Sequence, residues 1–347
     1  MRPWLLLLAL GCRPGPERPE AYLEGPAPVV AELARALAGF ERTPLGRMAR
    51  SLEATARSCE GLVTSQSAEP ASLQEILTSI KCAPAQKAPT DHVSFRFRVS
   101  DTAFAEGTAK ANAEEIVIAA ELVGALSELW VPSGDPGAPV LSAQDLVVHA
   151  RFRPAGGADI ASLLPLGSQA DDLFKLKSSL FTAAVLDGTF ELAMYPPSAS
   201  MPRVALALGV RGTALAKEAL EAFASEISKR WPIHPEPIEI RGADAICVRD
   251  VAILPELAPC ATTLPRAIVI GWNRASLDAA LLGRPAPARG ERGSAHVDFV
   301  RLEAVDRELA ATASAAPPAP YPFATLDLVL GDQARRGVPV AINLRRK

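Results

Sequence analysis

The sequence is short of aromatic residues: Phe, Trp and Tyr together make up 5% of its 347 residues. A core with few large rings fills with small side chains and needs many elements to bury enough area. A basic surplus is also missing, with 36 Lys and Arg against 39 Asp and Glu and a formal charge of −3. A nucleic-acid binder carries a clear basic excess, so that class is set aside. The N-terminal apolar run, Trp4 to Gly11, falls far short of the roughly 20 residues that cross a bilayer as a helix. The signatures G-x-S-x-G, H-E-x-x-H and the Walker loop are missing as well. No enzyme activity and no cofactor is expected on that ground.

What is present is an ordinary globular balance, 49% apolar and 22% charged residues. The length suits one large or two ordinary domains. Met1-Arg2-Pro3 followed by Trp4 to Gly11 has the charge, the short apolar run and the small residue of a secretory signal. The stretch Leu8-Ala9-Leu10-Gly11-Cys12 resembles the lipobox of bacterial lipoproteins. The resemblance implies cleavage before Cys12, acylation of that cysteine and a lipid anchor in the membrane. Several acyl chains on one residue make such an anchor stable. Arg13, rather than Asp, stands after the cysteine. By the same resemblance this places the protein on the periplasmic face of the outer membrane. Residues 13–28 carry five prolines and read as an extended tether.

With Cys12 set aside as an anchor, Cys59, Cys82, Cys247 and Cys260 remain. An even number in an exported chain points to disulfides. Proximity favours Cys59–Cys82 and Cys247–Cys260 among three pairings that sequence alone leaves open. A zinc site is the rival, but no two of these cysteines have C-x₂₋₄-C spacing and no histidine pairs at i+3 or i+4. No metal is expected.

Residues 29–90 read as a helical region. Val29, Leu33, Leu37 and Phe40 recur at helical spacing, as do Leu45, Met48, Leu52 and Ala56. Pro44 suits a helix start, and Ser72 with Glu75 forms a capping box. From residue 91 to 347 the period changes. Val93, Phe95, Phe97 and Val99 alternate with Ser94, Arg96, Arg98 and Ser100, and 146–153 repeats the pattern. Such alternation belongs to antiparallel sheets with one wet face. Asp187-Gly188 reads as a hairpin turn. A second hairpin pairs Ala324, Leu326, Leu328 and Leu330 with Val338, Val340, Ile342 and Leu344. A strand–turn–helix step recurs at 146–164, 204–229, 267–282 and 296–312. In the second, Leu215, Ala219, Phe223 and Ile227 form the helix stripe. The expected fold is α+β, an antiparallel β-sheet with helices packed on one face, preceded by a small helical N-terminal region.

The stretches Val185 to Ala193, Val204 to Phe223 and Pro265 to Leu282 resemble an uncharacterised family of exported bacterial proteins. The resemblance covers about residues 90–347. It implies this architecture and an exported location, and brings no catalytic residues.

Candidate functional residues are few. Gly209-Val210-Arg211-Gly212 sits where a phosphate would meet a helix start, but it lacks the third glycine of a dinucleotide fingerprint and reads as a tight turn. His296 and Asp298 lie two apart and would share a strand face. Arg96, Arg98, His149, Arg151 and Arg153 form a candidate anion-binding face, against the plainer reading of a solvated sheet surface. Trp130, Trp231 and Trp272 read as packing residues. The expected role is an envelope-anchored, non-catalytic binding or structural module. Its partners are the membrane and an apolar small molecule or an envelope protein. The alternative is a carrier of an apolar or lipid ligand. A hydrolase comes third and requires a histidine, an acid and a nucleophile in one cleft.

Overall fold

The structure, a computed structural model, describes residues 20–39, 44–84, 91–124, 136–153, 184–198, 201–230, 234–249, 258–288, 292–316, 319–331 and 337–347. In chain order the elements begin β1 (Ala21–Pro26), α1 (Ala27–Ala38), α2 (Pro44–Arg57), β2 (Leu62–Ser67), α3 (Leu73–Thr78) and β3 (Lys81–Ala83). There follow β4 (Val93–Arg98), β5 (Ala103–Ala111), β6 (Glu115–Gly124), β7 (Val148–Phe152), β8 (Leu186–Ser198) and β9 (Met201–Val210). Next come α4 (Thr213–Arg230), β10 (His234–Ile240), β11 (Ala243–Arg249), β12 (Cys260–Leu264), β13 (Ala267–Gly271) and α5 (Arg274–Ala280). The last are β14 (Gly293–Asp298), α6 (Phe299–Thr312), β15 (Phe323–Leu330) and β16 (Gly337–Arg346). The fold is α+β, as the alternation implies.

The strands form one antiparallel sheet in the order β10-β11-β12-β13-β9-β8-β7-β14-β15-β16-β6-β5-β4-β1-β2-β3. Register assigns each residue to a face. Phe152, Phe190, Leu208 and Ile268 align across β7, β8, β9 and β13. Leu326, Leu344 and Ile116 align across β15, β16 and β6. This apolar face is covered by α1, α2 and α3 at one end, by α6 near the middle and by α4 at the other end. The expected hairpin is present, with Leu326 opposite Leu344, Leu328 opposite Ile342 and Leu330 opposite Val340.

Not all helices share that face. Leu277, Ala279 and Ala280 of α5 pack with Ala193, Tyr195, Ala205, Ala207 and Val269 on the opposite side. The reason lies in β13, where Ala267, Ile268 and Val269 are all buried. A strand apolar on both sides needs cover on both. Asn273 caps α5 by accepting from the Ser276 amide at 2.8 Å.

The N-terminal stretch is not purely helical. Strands β1, β2 and β3 lie among its helices at one end of the sheet. Ala21 and Leu23 are buried there, so the fold begins inside the stretch read as a tether. The capping box of Ser72 and Glu75 is formed as expected. Both disulfides form in the proximity pairing. Cys82 sits on β3 rather than on a helix, which lets it reach Cys59 just past α2. Cys247 and Cys260 are direct cross-strand partners on β11 and β12.

Two further expectations change. Asp187-Gly188 is not a hairpin turn. Between the pairs Leu186–Val210 and Phe190–Leu208 the register slips, and Gly188 takes a φ of +89° within an irregular start to β8. On α4 the buried stripe is Ala216, Ala219 and Leu220, with Phe223 packed beside it, while Leu215 is exposed. Small alanines let α4 approach the sheet where the larger Leu215 would hold it away. Among the described residues no helix is long and apolar enough to cross a membrane.

Candidate functional site

The candidate anion-binding face does not assemble. Five strands separate β4, with Arg96 and Arg98, from β7, with His149 and Arg151. At about 4.8 Å per step that is roughly 29 Å. Arg96 bonds Glu106 at 2.6 Å and covers the ring of Phe104. Arg98 lies 4.0 Å from Asp101. These are local contacts on a polar sheet face.

His149 and Arg151 are not on a solvated surface either. They are 5% and 1% exposed, beneath the segment 136–147. Their chemistry is explained by Glu191, which the sequence reading missed. Glu191 on β8 is buried, and its Oε1 lies 2.9 Å from His149 Nε2. The same carboxylate accepts from the amides of Val140 at 2.8 Å and Leu141 at 3.1 Å. Arg151 is its cross-strand partner. Buried charge is tolerated when paired and hydrogen-bonded, and here it pins an irregular segment to the sheet. Tyr195, two residues along the same face, donates to the Ser142 carbonyl at 3.1 Å. Burial, then the Glu191 charge, push its phenol above the usual range. The signal for Glu191 was present in sequence: an acid set directly between the apolar residues Phe190 and Leu192.

His296 is the register partner of His149 on β14. Its Nδ1 lies 2.8 Å from Asp327 Oδ1 on β15. The expected partner Asp298 instead caps α6, accepting from the Arg301 amide at 2.9 Å. Two acid–histidine pairs therefore sit on one face across four strands. His234 lies at the start of β10, six strands from His149. The four described cysteines are held in disulfides. Among the described residues His92, His149 and His296 each lie within hydrogen-bond distance of a carboxylate. Among the described residues no group of three or more His, Cys, Asp and Glu could hold a metal ion.

Gly209 and Val210 end β9, and Arg211-Gly212 turns the chain into α4, with the Arg211 side chain donating to the Leu186 carbonyl at 3.1 Å. Trp272 is exposed, while Trp130, Trp231 and Cys12 lie outside the described residues.

Two cavities flank the β8–β13 end of the sheet. On the apolar face a groove of about 860 Å³ runs between α4 and the β10–β11 hairpin. Leu220, Ala224, Pro235, Pro237, Ile238 and Ile246 line it, with Lys217, Glu221, Glu239 and Asp244 also around it. Pro235 and Pro237 lie on an outermost strand, where a missing N–H is readily tolerated. On the polar face a smaller pocket of about 270 Å³ lies beside Glu191, lined by Arg153, Asp187, Thr189 and Arg266 among others. Arg153 thus lines a pocket that also holds Glu191, the partner of His149.

Comparison of the chain with family models, with curated proteins and with solved structures finds no match.

Proposed function

We propose that this protein is a non-catalytic binding module of the cell envelope, anchored through lipid on Cys12. Its ligand is an apolar small molecule held between α4 and the β10–β11 hairpin. The groove carries this reading. Its volume of about 860 Å³ is in the range of small-molecule sites, which are mostly apolar with a few polar groups. An acyl chain would lie against Leu220, Ala224 and Ile246, with Lys217 among the lining residues to meet its carboxylate. The buried acids and histidines have structural partners, which supports binding rather than catalysis.

Mass spectrometry of small molecules extracted from the purified full chain tests the ligand. An amphiphile recovered from the protein, and lost when Ala224→Trp fills the groove, is the expected result. Extracts free of any amphiphile, with no uptake of a fluorescent fatty acid, would end the carrier reading. Metabolic labelling with palmitate tests the anchor separately: wild type takes the label and Cys12→Ser does not. Equal labelling of both would remove the anchor and leave the groove untouched.

A further inference from the structure

We propose that the pocket on the polar face binds a small oxyanion, a carboxylate or phosphate group, through Arg153 and Arg266. This site lies on the opposite side of the sheet from the apolar groove and does not depend on it.

Both arginines line the same pocket of about 270 Å³. Among the described residues neither guanidinium makes a hydrogen bond or an ion pair. The acids on the wall are already engaged. Asp187 Oδ1 accepts from the Thr189 amide at 2.7 Å. Glu191 uses both oxygens on His149 and on the amides of Val140 and Leu141, with Arg151 alongside. Arg151 stands opposite Glu191 and offsets its charge, so Arg153 and Arg266 outweigh the one remaining carboxylate, Asp187, and leave the lining net positive. A guanidinium presents a planar fork of donors that fits two oxygens of a carboxylate or phosphate.

The backbone is shaped for this approach. Gly137 and Gly188 have φ of +74° and +89°, where side chains are strained. A Cβ on Gly188 would stand 3.8 Å from Arg153 Nε, and one on Gly137 would stand 3.7 Å from Arg266 Nη2. The two glycines thus lie beside the arginine side chains, and their positive φ rather than a lack of space favours glycine there. The volume is below the usual range for drug-sized ligands, so it takes a phosphate or a short dicarboxylate rather than a chain.

Calorimetry on the full chain in detergent tests the site with three probes: inorganic phosphate, succinate and glycerol 3-phosphate. The first two stand for a free small anion and the third for a lipid headgroup. Saturable binding of at least one probe is expected at millimolar concentration. Arg153→Gln and Arg266→Gln should each weaken it by about tenfold or more, the effect of losing a charged hydrogen bond. Arg241→Gln, whose side chain pairs with Asp278, should leave it unchanged. A preference for glycerol 3-phosphate assigns the site to a headgroup, and a preference for the others to a free anion. If Arg153→Gln lowers the melting temperature, Arg266→Gln decides, because its side chain is exposed. Failure of all three probes to bind, or binding that survives the arginine variants, overturns the proposal.

Discussion

His149 Nε2 and Glu191 Oε1 lie 2.9 Å apart with side chains only 6% and 3% exposed. The pair joins β7 to β8 beneath the segment 136–147. Removing one member strands the other in the interior. Glu191→Ala should therefore destabilise the protein by about 3–5 kcal/mol, the cost of breaking a buried pair. It also leaves the amides of Val140 and Leu141 without their acceptor. Urea denaturation measures the loss. A change below about 1 kcal/mol would show that the segment holds without the carboxylate.

The two disulfides close loops of sequence separation 23 and 13. Cys247→Ser with Cys260→Ser should lower stability by about 2–4 kcal/mol. Cys59→Ser with Cys82→Ser should do the same near the opposite edge of the sheet. Thiol titration after unfolding without reductant checks the pairing directly. Four free thiols beyond Cys12 would refute it.

High pH should weaken the fold through its tyrosines. Tyr321 is pushed up to about 12, first by burial and then by its bond to Asp306. Tyr195 is raised as well, for burial first. A group whose folded pKa is raised stabilises fully below its unfolded value, about 10 for a phenol. That contribution is lost as pH climbs through the folded value. Stability should therefore fall between about pH 10 and 12, and two of the three tyrosines should ionise late in an ultraviolet titration. Ionisation of all three near pH 10 in the folded protein would contradict this.

Asn273 links α5 to the sheet. It caps the helix at Ser276, and the Ser276 hydroxyl accepts from the Val204 amide at 3.2 Å. Asn273→Ala should cost about 1 kcal/mol, as caps do, while Asn273→Ser should recover most of it. Thermal melts compare the two variants. Equal melting temperatures for wild type and Asn273→Ala would show that the cap contributes nothing.

Local pattern was legible where each residue's own neighbours decide its state. The alternation of Val93, Phe95 and Phe97, the box at Ser72 and Glu75, and the hairpin of Leu326 and Leu344 all follow from nearby spacing. Strands β1 and β2 were hidden because each is six residues long and flanked by strong helical signals. The site was hidden for a different reason. Glu191 finds His149 only through the pairing of β8 with β7, and His296 finds Asp327 only through β14 and β15. Such partners depend on register between distant strands, which tertiary packing sets. The nearby pair His296 and Asp298 looked better in sequence, yet Asp298 starts a helix and takes the role its position requires.

The place of β16 has a consequence for assembly. It stands between β15 and β6, so residues 337–346 join strands made early in the chain to strands made late. Until that segment is in place, β6 and β15 each present an open edge of unpaired backbone. Open edges recruit other chains, and pairings this far apart in sequence form slowly. Partly made chains therefore pass through a stage in which two incomplete sheets are exposed to each other and to their neighbours. A chaperone that shields strand edges would matter most in that interval.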